Sequence, residues 1–122
     1  MKATQLLHEL GQSLWLDNIT RDLLTSGRLQ HYVDDVAVTG LTSNPTIYDK
    51  AIGGTVAYDD AIRGAAARGA GWEEIFFELA LDDLTRAADL FRPLHERTGG
   101  VDGFVSLEVS PLLAYDAGAT TR

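Results

Sequence analysis

Three short apolar segments, "SLWLD" (13–17), "VAVTGLTSN" (36–44) and "GFVSLEVSP" (103–111), are held apart by long stretches of helical periodicity, and this spacing constrains the fold more than any other feature. Antiparallel neighbours can be joined by a turn of a few residues, whereas parallel neighbours need a crossover of a dozen or more, usually helical. Residues 18–35 and 45–102 are crossovers of that kind. The order β-α-β-α-β therefore predicts an α/β fold with parallel strands covered by helices. No internal repeat, low-complexity tract or linker interrupts it.

The intervening helices are marked by their ends. Leu6, Leu7 and Leu10 share one face of a helix over residues 3–11. "TRDLLTSG" (20–27) closes on Gly27 in the usual position after a helix, and "RLQHYVDD" (28–35) continues as a second one. Asn44 before Pro45 combines a side chain that caps a helix with a residue whose missing N–H is no loss at the first helical position. "PTIYDKAI" (45–52) is then helical, and so is "VAYDDAIRGAAARG" (56–69). Residues 71–100 hold the longest helical pattern, with Ile75, Leu79, Leu84, Ala88 and Phe91 in its apolar stripe and Pro93 expected to kink or end it.

Glu108 raises a question of its own. By the strand period of two, Val105, Leu107 and Val109 lie on one face and Phe104, Ser106, Glu108 and Ser110 on the other. A parallel sheet covered on both faces has no wet side, so this carboxylate is expected to be buried and to need a partner or a task. Asp17 and Asn44 stand at the ends of the first two strands, the edge where parallel α/β folds build their sites. Each has an ordinary alternative as a helix cap, and for Asp17 the residues leave both readings open.

Composition excludes several classes. Eighteen acidic against ten basic residues give a formal net charge of −8, which argues against binding nucleic acid or an anionic membrane. There is no cysteine, hence no disulfide or thiolate chemistry, and no run of the ~18 to 20 apolar residues a membrane span requires. The first residues lack the apolar core of a signal peptide, so a cytoplasmic protein is expected. His8, His31 and His95 show no metal-ligand spacing and read as surface or packing residues. No phosphate-cradling glycine motif is present, and the acids of "EEIFFELALDDL" read as the solvated face of an amphipathic helix.

Taken together, "SLWLDNI", "VTGLTSNPTIYDKAI", "EEIFFELALDDLTRAADLF" and "GFVSLEVSPLLAYD" resemble the N-terminal part of transaldolases of the actinobacterial type, from about residue 11 to Asp116. The resemblance implies the first three βα units of a TIM-type (αβ)8 barrel. It also implies transfer of a dihydroxyacetone unit between sugar phosphates through a lysine Schiff base, without metal or organic cofactor. In the pentose phosphate pathway this converts sedoheptulose 7-phosphate and glyceraldehyde 3-phosphate to erythrose 4-phosphate and fructose 6-phosphate. Asp17 then matches the family's aspartate that takes the proton from the substrate's C4 hydroxyl. Asn44 matches a substrate-binding asparagine, with Thr42 and Ser43 beside it, and Glu108 matches the glutamate that works through a water in forming and hydrolysing the Schiff base.

The nucleophile is not matched. The chain has only Lys2 and Lys50; Lys50 follows Asp49 in a helix and reads as a solvated ammonium, while the family's lysine belongs to a fourth strand and its phosphate-binding basic residues come later still. The closing "DAGATTR" departs from the family's usual continuation. A whole barrel takes about 250 residues. The expectation is thus a single incomplete domain over 1–122, truncated, inactive alone, and prone to self-association through unpaired sheet edges. Two rival readings are a lyase of the fructose 6-phosphate aldolase kind and a non-catalytic oligomerising or binding module.

Overall fold

The computed structural model describes residues 1–121. Its elements run α1 (Ala3–Glu9), β1 (Leu14–Asp17), α2 (Arg21–Thr25), α3 (Arg28–Asp35), β2 (Val38–Ser43), α4 (Pro45–Gly53), α5 (Asp59–Ala67), α6 (Trp72–Arg97), β3 (Phe104–Leu107), a 3₁₀ turn (Pro111–Leu113) and α7 (Ala117–Thr120). The three strands form one parallel sheet in the order β1-β2-β3. This is the α/β architecture of the first three βα units of a TIM-type barrel.

The register sorts the side chains into two faces. Leu16, Leu41 and Val105 are paired across the sheet and point to the helical layer, where Leu41 is fully buried. The opposite rows are Trp15–Gly40–Phe104 and Asp17–Thr42–Ser106. Among the described residues that face is only partly covered, His95 at the end of α6 touching Phe104, and Trp15 and Phe104 remain 44% and 45% exposed. In β1 the residues alternate between half-buried and exposed. A Cβ at Gly40 would lie 2.5 Å from the Trp15 indole that rests on it, so any larger residue would displace the indole.

Helix α6 organises the core. Leu79, Ala80, Asp83, Leu84, Ala87, Phe91 and Leu94 form its buried stripe at the helical spacing of three and four. Ile19, Leu23, Leu29 and Tyr48 from the other helices and loops close around it. One expectation fails on this helix. Ala88 is exposed and Ala87 takes the core position. Of the kink or end expected at Pro93, the helix does not end there: Pro93 lies on the solvent face, and Phe91 and Leu94 on either side anchor the turn in the core.

The larger surprise is Asp83, which is fully buried rather than solvated. Its Oδ1 accepts from Arg21 Nε at 2.9 Å and its Oδ2 from the Tyr58 hydroxyl at 2.7 Å. Tyr58 in turn accepts from the Arg21 backbone N–H at 3.0 Å, and the Arg21 guanidinium lies 4.4 Å from the centre of the Tyr58 ring. Asp82, half-exposed, holds the other edge of Arg21 at 2.8 Å. A buried carboxylate is tolerated when it is paired and hydrogen-bonded on both oxygens. The cluster thereby pins the start of α2 and the N-cap of α5 to the middle of α6. Burial pushes the Tyr58 hydroxyl well above the ordinary tyrosine range, and its bond to Asp83 adds to this. Tyr48, which donates to the Ala80 carbonyl, is raised by burial and then by the Asp83 charge.

Candidate active site at the strand ends

Each strand end is set by a local signal. After β1, the cap of α2 is Thr20, whose side chain accepts from the Leu23 backbone N–H at 3.0 Å. Asp17 is thus not the cap, and its carboxylate makes no hydrogen bond or ion pair with the described residues. After β2, Asn44 Oδ1 accepts from Ile47 N–H at 2.9 Å and Pro45 opens α4. The capping role takes the oxygen and leaves the Asn44 amide N–H₂ available. After β3, Ser110 and Pro111 repeat the device, with the Ser110 side chain accepting from Leu112 N–H at 3.3 Å.

These three ends border an open cavity of about 520 Å³. Asp17, Asn44 and Glu108 line it, together with Pro45, Thr46, Ile47, Lys50 and Pro111. Glu108 lies one residue beyond β3, its backbone N–H continuing the ladder to the Ser43 carbonyl at 3.2 Å. It is exposed, which corrects the expectation of a buried carboxylate: the described residues do not cover the sheet face on which it stands. Thr42 sits half-buried between Asp17 and Ser106 in their cross-sheet row. Ser43 does not join them. Strand alternation turns it to the helical side, where it is fully buried and donates to the Ser106 carbonyl at 2.9 Å, so its hydroxyl has no access to the cavity.

A family model described as Transaldolase/Fructose-6-phosphate aldolase matches residues 14–122. The chain belongs to this family. It is 44% identical to a transaldolase of Kocuria rhizophila over 97% of its length, 46% identical to one of Saccharopolyspora erythraea over 93%, and 40% identical to transaldolase 2 of Nostoc punctiforme over 93%. Those matches cover 32%, 31% and 30% of the respective relatives, so the chain spans about a third of the length of the curated relatives it matches. Among the described residues no helix is long and apolar enough to cross a membrane.

Ser, His and Asp do meet elsewhere, at the opposite end of the sheet. Ser13 Oγ donates to Asp102 Oδ1 at 2.5 Å, and His95 Nδ1 lies 2.8 Å from the Asp102 carbonyl oxygen. A hydrolytic triad needs the imidazole between the hydroxyl and the carboxylate. Here the serine bonds the carboxylate and the histidine bonds the backbone, so the group is a clamp that fixes the entries to β1 and β3 against the end of α6. His95 completes it by packing edge-on against Phe104, with ring centres 5.1 Å apart.

Proposed function

We propose that this chain carries the acid–base part of a transaldolase-type site for sugar phosphates. The observation that carries the reading is the joint lining of one cavity by Asp17, Asn44 and Glu108 at the ends of three parallel strands. Asp17 accepts the proton of the substrate's C4 hydroxyl as the carbon–carbon bond breaks, which leaves the substrate oxygen as a carbonyl. Glu108 passes protons through a water during formation and hydrolysis of the Schiff base, a role suited to an exposed carboxylate with no competing side-chain partner among the described residues. Asn44 donates from its free amide edge to a substrate hydroxyl, and Thr42 supports the same row. The Schiff-base lysine is not one of these residues, and no cofactor is invoked.

The whole transfer reaction, in the cytoplasm and the pentose phosphate pathway, belongs to a complete barrel to which this chain contributes one incomplete domain; alone it is inactive. A fructose 6-phosphate aldolase activity shares the same Schiff-base logic and the same missing amine. Titration of the isotope-labelled chain with fructose 6-phosphate, followed by amide NMR, tests the reading. Shifts concentrated at Asp17, Asn44, Thr46 and Glu108, lost in Asn44→Ala, are expected; shifts spread elsewhere, or none, refute it.

A second reading, an oligomerising module, is favoured by the partly covered sheet face with Trp15 and Phe104 and by the two free edges of a three-stranded sheet. Concentration-dependent sedimentation that Trp15→Ser abolishes supports it. A monomer at all concentrations removes it.

A further inference from the structure

Asp17 lines the cavity without a partner of its own: its side chain is exposed and bonds no described residue. Its place is therefore set by the backbone on either side. On the strand side the ladder to Thr42 holds it. On the other side only Asn18, Ile19 and Thr20 separate it from Arg21, the first residue of α2. That helix has five residues, too few to be stable by itself. What holds this turn in place comes from elsewhere in the fold.

Arg21 is the point of attachment. The Thr20 side chain serves the Leu23 N–H, while the Arg21 N–H, another donor that a helix start leaves open, is met by the Tyr58 hydroxyl at 3.0 Å. That hydroxyl donates to Asp83 Oδ2 at 2.7 Å, and Asp83 Oδ1 accepts from Arg21 Nε at 2.9 Å. Main chain and side chain of one residue thus hang from a single buried carboxylate on α6. Ile19, fully buried, fixes the middle of the turn. Just before Asp83 on the same helix, the Ala80 carbonyl accepts from Tyr48 of α4, the helix that Asn44 opens. Neighbouring positions of α6 therefore tie down the segments that follow both β1 and β2.

We propose that Tyr58, Arg21 and Asp83 are positioning residues for Asp17: the cluster sets the course of the chain from β1 into α2 and so holds the Asp17 carboxylate at the cavity it shares with Asn44 and Glu108. None of the three lines that cavity, so their effect on a ligand passes through Asp17. The consequence for sugar binding rests on the role proposed above for Asp17.

The test compares the wild-type chain with Tyr58→Phe, which keeps the ring and removes the hydroxyl between Arg21 N–H and Asp83. Tyr48→Phe is the control, since it removes a buried hydroxyl bonded to the same helix without touching Arg21. Backbone order parameters from nitrogen relaxation should fall at residues 17–21 from about 0.85 to about 0.6 in Tyr58→Phe and stay near 0.85 in Tyr48→Phe. Unchanged values in Tyr58→Phe, or an equal fall in both variants, overturn the proposal. Should Tyr58→Phe fail to fold, Arg21→Lys gives up the fork between Asp82 and Asp83, and the same comparison with Tyr48→Phe decides. Affinity for fructose 6-phosphate then locates the effect. Tyr58→Phe should weaken it about fivefold in the wild-type background and leave it unchanged in an Asp17→Asn background, because groups that act through one another do not add. An equal loss in both backgrounds shows that the cluster acts on the fold at large and overturns the proposal. A wild-type chain that binds no fructose 6-phosphate refutes the function proposed above, and the order parameters alone then decide whether the cluster holds Asp17.

Discussion

Replacing Asp83 by asparagine tests the buried cluster with almost no change of volume. Each carboxylate oxygen takes one charge-assisted bond, from Arg21 at 2.9 Å and from Tyr58 at 2.7 Å, and such bonds contribute about 1.5–3 kcal/mol each. Asparagine keeps an oxygen for Arg21 at the strength of a neutral acceptor. Its amide turns a donor toward the Tyr58 hydroxyl, which already accepts from Arg21 N–H and now has no acceptor for its own proton. Asp82 retains its bond to Arg21, so the cation is not left wholly uncompensated. The sum is a loss of about 3 kcal/mol, within the ~3–5 kcal/mol range for breaking a buried pair and a large share of a stability of about 5–15 kcal/mol. Urea denaturation followed by far-UV circular dichroism at pH 7 reads it directly. The double variant Arg21→Leu/Asp83→Leu should cost less than the two single leucine variants added together. A loss below about 0.5 kcal/mol in Asp83→Asn would show that the cluster contributes nothing and that its burial has been misread.

Two further perturbations follow from the same packing. Tyr48 and Tyr58 are raised by folding above the unfolded tyrosine value of about 10, so the native state holds their protons longer; stability is complete below that pH and falls as pH rises above it. Tyr48→Phe should flatten that alkaline decline in urea midpoints, and parallel curves for variant and wild type would contradict it. Gly103, at φ +86, would place a Cβ 2.8 Å from the His95 backbone nitrogen, so Gly103→Ala should cost about 2–4 kcal/mol, checked by thermal melting; a melting point equal to that of the wild type contradicts the tight approach of α6 to β3.

What could be read from the chain alone was whatever is local. Strand alternation, the Asn44–Pro45 helix start and the long crossovers gave the parallel order, and alternation by itself already separates Thr42 from Ser43. Asp83 shows the limit. Helical spacing does place it in the stripe with Leu79, Leu84 and Ala87, yet an acid in "LDDL" reads as solvated until Arg21 is seen to meet it, and Arg21 lies 62 residues away. Lys50 was legible as a helix residue, but its side of α4 faces a cavity assembled from three separate strand ends. Glu108 failed in the other direction: its face was assigned correctly, and its burial was inferred from cover that the described residues do not supply. The cap of α2 separated the two readings of Asp17 only through a hydrogen bond to Thr20, which no pattern in "LDNIT" distinguishes from a cap at Asp17.

On the function proposed above, Asp17 and Glu108 act as acid–base groups at one cavity, and Lys50 beside them is not the nucleophile that forms the covalent intermediate. Incubation with fructose 6-phosphate, reduction with borohydride and intact-mass measurement address it most directly. The account predicts an unmodified chain under conditions where the same sugar is bound reversibly. A stoichiometric adduct on Lys50, lost in Glu108→Gln, would contradict it and make Lys50 the nucleophile of a complete site.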